Sequence, residues 1–180
     1  MKLNNIQFDL NSFAAEMAKL KNDQHFDFLV TIVGEDFGEE GLGCIYILEN
    51  TLTHERMSVK AVNANRDEAY IPSVSHLWKA AEILEREVYD FFGIIFTGNP
   101  DMRRIFLRSD FVGYPMRKDY DMDPEKNKYH LFDDPEPDYT LQYSLDKEGK
   151  LVAQRKPLFH DDDFVVNIGP QHPATHGVLR

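Results

Sequence analysis

The chain has 180 residues, 42% of them hydrophobic, and a formal charge of −11 from 31 acidic against 20 basic side chains. That length holds one domain of ordinary size plus tails, with enough apolar content for a real core. The acidic balance argues against a nucleic-acid partner, which would want a basic face, and against direct adhesion to anionic lipid.

From the N-terminus, Leu10 to Leu20 place Phe13, Met17 and Leu20 at helical spacing, with Ala14 and Ala18 beside them and Asn11 or Ser12 as the cap. Three strand-like runs follow, Phe26 to Val33, Leu42 to Leu48 and Met57 to Val62, parted by Gly-rich or polar turns. Alternation puts Phe26, Phe28, Val30 and Ile32 on one face of the first run, and Ile45 and Ile47 together on the second. The only cysteine, Cys44, lies in that second run and reads as a buried small hydrophobe. One thiol excludes an internal disulfide, and it excludes an iron–sulfur cluster ligated by this segment alone. Gly34, Gly38, Gly41 and Gly43 have the wrong spacing for a nucleotide fingerprint, and no helix N-terminus follows them.

The clearest helix follows Ile71-Pro-Ser-Val-Ser75. Leu77, Ala81, Leu84, Val88 and Phe91 form its apolar stripe, widened by Trp78, Ala80 and Ile83, with Ser75 as N-cap and Gly93 as the C-terminal stop. Lys79, Glu82, Arg86 and Asp90 fall on the opposite face at pairing distance. The carboxylates Glu82, Glu85, Glu87 and Asp90 therefore read as an ion-pair ladder, either solvated or turned toward a neighbouring chain, rather than as catalytic acids. Gly98 to Asp101 is a turn, and Arg103 to Arg108 a short basic strand. The longest apolar run, Phe91 to Phe96, is too short to span a membrane, and the N-terminus has no signal-peptide core, so a cytoplasmic location is expected.

Beyond about Tyr114 the composition changes. Residues 119–163 are rich in Asp, Pro, Tyr and Lys with little periodicity, which reads as an extended acidic arm. Asp119, Asp121 and Asp123 begin like a calcium loop, but Pro124 and His130 stand where such a loop needs Gly and Glu. The expected organisation is an α+β domain over 1–118, with a mixed sheet packed by helices, the arm over 119–163, and the start of a second domain over 164–180.

That last stretch runs from the strand-like Phe164 to Ile168 into Gly169-Pro-Gln-His-Pro-Ala-Thr-His-Gly177. Pro173 opposes a helix that would aim His172 and His176 at one metal, so no metal site is expected. A loop histidine can bond neighbouring backbone, or donate a hydrogen bond or proton to a carbonyl ligand; the residues alone leave both open. The chain stops on a loop and strand start, which reads as a fragment boundary.

Two stretches resemble respiratory complex I. Ser75 to Gly93, continuing through Gly98-Asn-Pro-Asp-Met-Arg-Arg-Ile105 to Pro115-Met-Arg-Lys-Asp-Tyr120, looks like the 30-kDa (C-type) subunit of the proton-translocating NADH:quinone oxidoreductases. The motif residues are Glu85, Arg86, Glu87, Asp90, Arg103, Arg117, Lys118 and Asp119, expected in structural or interface roles. Asn99 departs from the pattern, since the family usually has a basic side chain there, typically His. Asn167 to Arg180 resembles the start of the 49-kDa (D-type) subunit. That resemblance implies a loop reaching the quinone, with His176 bonding its carbonyl and His172 nearby.

The resemblance thus implies the front of a fused C–D polypeptide, a peripheral scaffold on the cytoplasmic side of the inner membrane. It implies no cofactor on this segment and no turnover by it alone. FMN, iron–sulfur clusters and quinone would be served by other complex I subunits, which are the expected partners. The alternatives are the front domain of a related membrane-bound hydrogenase or other complex-I-like dehydrogenase, or a non-redox interaction module.

Overall fold

The computed structural model describes residues 4–109, 111–121 and 139–158. A four-stranded sheet carries the fold, built from β1 (Asn4–Gln7), β2 (Phe28–Asp36), β3 (Leu42–Glu49) and β4 (Arg56–Asn63) in the order β1-β4-β3-β2. β2, β3 and β4 form an antiparallel meander, while β1 runs parallel to β4 at the edge. Helices α1 (Phe13–Asn22) and α2 (Ala81–Phe92) supply the second layer. The α+β reading with a mixed sheet and packed helices therefore holds.

The core lies on one face of the sheet. Leu42, Cys44, Tyr46 and Leu48 alternate inward along β3, and Ile45 and Ile47 share the other, half-exposed face. Phe13, Met17 and Leu20 bury the expected stripe of α1, with the Phe13 ring 5.2 Å from that of Tyr46. Ser12 does stand at the N-cap, but its side chain caps nothing. Its hydroxyl donates to Asp9 O, while Asp9 Oδ1 accepts the Asn11 N–H.

The face expected for the first strand is broken. A β-bulge falls between Leu29 and Thr31, so Leu29 and Ile32 point into the core while Phe28 turns out. The extra residue at Val30 resets the side-chain period, which simple alternation cannot foresee. Further along β2, Gly34 lies directly under α2. A Cβ there would sit 2.6 Å from the Phe92 ring and 2.9 Å from Val88. Gly34→Val should cost about 1–3 kcal/mol by overpacking, read as a lower urea midpoint with an unchanged slope. A midpoint equal to the parent's would mean the helix rides clear of the strand.

Two short strands, β5 (Tyr70–Pro72) and β6 (Ile95–Thr97), pair in parallel and bracket α2. Ser75 is not its N-cap: the chain turns through residues 74–80, and Ala80 holds that position without a side-chain bond. Trp78 is buried in this turn, its indole N–H donating to Asp27 O. Gly93 ends the helix as expected, at φ 74° in the left-handed region, where any Cβ would also meet the Tyr114 ring.

The arm expected over 119–163 differs where it is described. β7 (Tyr139–Leu145) and β8 (Leu151–Pro157) form an antiparallel hairpin, closed by Asp146 Oδ1 accepting the N–H groups of Glu148 and Lys150. The hairpin is tied to the body by the Gly98 N–H on Tyr143 O, Thr140 on Asp101 and Gln142 on Pro100 O. Residues 122–138 and 159–163 of that segment, together with 164–180, lie outside the described residues.

Candidate functional site

The motif carboxylates of α2 do not form a solvated ladder. The stripe that faces the sheet is Ala81, Glu85, Val88 and Phe92, so Glu85 occupies a core position. Leu84 and Phe91 are only half-buried, and Ile83 is exposed rather than part of the stripe. Glu85 and Asp90 are both fully buried, and each has donors that its ionised form needs.

Glu85 Oε2 accepts the Ser73 hydroxyl and the Asn99 amide, both at 2.7 Å, and Oε1 accepts the Val74 N–H at 2.8 Å. Asn99 is itself buried and also donates to Glu82 O. No cation faces this carboxyl among the described residues. Burial outweighs the hydrogen bonds and pushes its pKa up to about 7. Cys44 and Tyr46 lie across the core from it. Burial, with Glu85 adding to it, holds both well above their usual values, so the Cys44 thiol is no ready metal ligand.

Asp90 is held differently. Its Oδ2 accepts three successive backbone N–H groups, from Ile105 at 3.1 Å, Phe106 at 2.7 Å and Leu107 at 2.9 Å. Arg104 donates to Oδ1 at 2.9 Å, and its guanidinium reaches on to Phe111 O and Gly113 O. Burial alone would raise this carboxyl; the Leu107 N–H, the Arg104 guanidinium and the other two N–H groups reverse that and hold it below its ordinary value. This is why Arg103 to Arg108 is not the expected strand. Three consecutive N–H groups can meet one oxygen only if the backbone curls around it.

Arg86 adds a third tie to the same loop. It donates to Arg103 O and Arg104 O, and pairs with Asp101 at 3.2 Å. Arg103 closes on Asp101 in a two-pronged pair with contacts of 3.0 and 2.7 Å. Glu87 points outward and makes no side-chain hydrogen bond or ion pair among the described residues.

Arg117, Lys118 and Asp119 gather elsewhere, at the far end of β2. Asp36 is buried and takes a bidentate pair from Arg66 at 2.7 and 2.8 Å, plus the Lys118 N–H at 2.8 Å. Arg117 grips Asp119 the same way at 2.9 and 2.8 Å, and Arg66 bridges to Asp119 at 3.1 Å. Arg66 holds the Asp36 carboxyl far below the usual range, and Arg117 with Arg66 takes Asp119 down to about 2. Sequence reading misses Asp36 and Arg66, which lie far from 117–119 along the chain. A lone Asp ending a β-run, followed by an Arg after the next hairpin, is a weak signal on its own.

Glu87 apart, these groups are spent on one another and on backbone, which makes a latch between the loops and the body. A hollow of about 310 Å³ lies beside them, lined in part by Tyr89, Met102, Arg104 and Tyr139. No nucleophile and base converge in it. Among the described residues no group of three or more His, Cys, Asp or Glu is placed to hold a metal ion. None of their helices is long and apolar enough to cross a membrane. His172 and His176 lie outside the described residues.

Comparison with known proteins adds to this geometry. Residues 6–126 match the family described as "Respiratory-chain NADH dehydrogenase, 30 Kd subunit". The C/D subunit of the NADH-quinone oxidoreductase of Phocaeicola vulgatus is 47% identical over 97% of this chain, which covers 33% of that protein. The C/D subunit of Bacteroides fragilis is 47% identical over 92% of the chain and is likewise 33% covered. The chain thus spans about a third of the length of these relatives. The separate C-type subunit of the Moorella thermoacetica NADH-quinone oxidoreductase is 38% identical over 62% of this chain and 75% of its own length. Among solved structures, a chain of the membrane-bound sulfane sulfur reductase, an archaeal respiratory membrane complex, superposes with TM-score 0.60 and 28% identity. That match covers 75% of this chain and 84% of the other.

Proposed function

The chain belongs to the 30-kDa subunit family of the respiratory-chain NADH dehydrogenases, and from that premise we propose that it is the front of a fused C/D polypeptide in a proton-translocating NADH:quinone oxidoreductase. In this reading it is a peripheral-arm scaffold on the cytoplasmic side of the membrane. Electrons pass from NADH through flavin and iron–sulfur clusters on other subunits. The segment 164–180 lines the quinone site, with His176 donating to the quinone carbonyl and His172 beside it. The chain performs no turnover alone.

One observation carries the reading. Arg86, Asp90, Arg103, Arg117 and Asp119 are consumed in fixing loops 99–113 and 114–120 to the body, as a support requires and as a self-contained catalyst does not. The likeness to the C/D polypeptides, running over nearly the whole chain, supports the fused arrangement.

The test uses the full-length polypeptide in its assembled complex. His176→Ala should lower quinone reductase activity while the complex still assembles and still oxidises NADH with an artificial acceptor. His172→Ala should act in the same direction more weakly. Quinone kinetics equal to the parent's in an assembled His176 variant would remove the histidine from the site. Measurable NADH or quinone turnover by the isolated chain would contradict the scaffold role.

A second reading, the front domain of a different respiratory membrane complex, is favoured only by the sulfane sulfur reductase likeness. The purified complex separates the two by its reductant, since NADH oxidation coupled to quinone reduction belongs to the first alone.

A further inference from the structure

Most side chains of α2 are buried or latched, but a strip that starts with the exposed Ile83 and Glu87 and continues to the half-buried Phe91 is only partly covered. Ile83, Glu87 and Phe91 lie one turn apart, on the side away from the sheet. Phe91 stacks on Phe106 with ring centroids 5.7 Å apart, and Phe91 O accepts the Met116 N–H. The loop latched by Asp90 therefore lays Phe106 beside the strip, and the segment that follows brings the Met116 backbone to it. Ile83 is 62% exposed, Phe106 64% and Met116 57%. Single exposed apolar residues need no explanation, but several gathered along one helix edge, beside a loop held by a buried ion pair, do.

The charges nearby narrow what can cover it. Arg86 is committed to Asp101 and two carbonyls, Arg104 to Asp90, and Lys79 pairs with Glu82. That leaves Glu87, whose carboxylate has no partner among the described residues, as the uncompensated charge in the middle of the apolar strip. We propose that Ile83, Glu87, Phe91, Phe106 and Met116 form a contact face for another protein chain, one that presents an aliphatic side chain next to a Lys or Arg.

The apolar residues supply area, and the Glu87 pair supplies register and partner choice. An anionic lipid surface is the poorer occupant, because Glu87 and the overall charge of −11 both oppose it. The inference rests on the reading of this chain as part of a multi-subunit complex and names which of its surfaces meets a neighbour.

The experiment places a photo-reactive benzoylphenylalanine at Ile83, and separately at Phe106, in the full-length polypeptide within its own membranes. Leu52, 85% exposed on the β3–β4 turn, is the reference position. Irradiation and peptide mapping should give an adduct with a different polypeptide, on a peptide containing Lys or Arg. Glu87→Lys should reduce the yield several-fold, and Glu87→Gln should reduce it less. Adducts only with lipid, with a second copy, with the chain itself or with an acidic peptide would overturn the inference. So would yields no higher than at Leu52, or yields unchanged by Glu87→Lys. The same sample reports whether the chain co-purifies with an NADH-oxidising membrane complex. Co-purification without the adduct sinks this face and leaves the proposed function standing; no co-purification sinks both.

Discussion

Replacing Asp90 by Ala should cost about 3–5 kcal/mol of stability, the usual penalty for removing one partner of a buried ion pair. The Arg104 guanidinium, nearly buried itself, would lose its carboxylate, and three backbone N–H groups would lose their acceptor together. The loop from Arg103 to Gly113 has few apolar anchors of its own, so it should detach from α2. The measurement is urea unfolding of the purified chain, paired with hydrogen exchange at residues 105–107. Those amides should exchange near the free-peptide rate in Asp90→Ala. Asp90→Asn should fall between, because the amide oxygen still accepts while the charge is gone. A loss below about 1 kcal/mol in Asp90→Ala would mean the loop is held by its apolar contacts and not by the carboxylate.

Glu85 should make stability depend on pH in an unusual direction. Its pKa stands at about 7 in the fold, against an ordinary value of 4.5. The folded state then holds the proton more tightly than the unfolded chain does. The stabilisation is complete below about pH 4.5 and is lost as pH rises through about 7. The difference is on the order of 3 kcal/mol across that window. Glu85→Gln, compared with the parent at each pH, should remove the slope between pH 4.5 and 7. The many carboxylates with depressed values titrate below that window and drop out of the comparison. Asn99→His should flatten the slope as well, since an imidazolium against the carboxyl supplies a charge partner and draws the Glu85 pKa back down. Parallel pH profiles for the parent and Glu85→Gln would show that the carboxyl stays ionised throughout.

Much of the fold is legible in the residues. The stripe Phe13, Met17, Leu20 marks α1, alternating apolar runs mark the meander, and Gly93 marks the end of α2. What is not legible follows from partners that periodicity cannot see. Glu85 falls on the core stripe between Ala81 and Val88, and that placement is visible in the spacing. Its acceptability there depends on Ser73, Val74 and Asn99, which the fold delivers from two other segments. Asp90 recruits backbone N–H groups, which nearly every residue carries and which leave no mark in a sequence. β1 is four mostly polar residues and exists because β4 offers it an edge. The β7–β8 hairpin lies closer to reach: Tyr139, Leu141, Tyr143 and Leu145 alternate before a turn ending at Gly149, but the surrounding Asp and Pro content hides them. The departure at Asn99 acquires a physical meaning only once its neighbour is known to be a carboxyl with no cation.

The parallel placement of β1 also orders events in time. β2, β3 and β4 join through short turns, so their ladders can close soon after each leaves the ribosome. β1 emerges before any of them yet must wait for β4, whose free edge it needs, and must close a large loop to reach it. Of the four strands, the earliest synthesised is therefore the last to dock, and thermal fluctuation should peel it away before the meander opens.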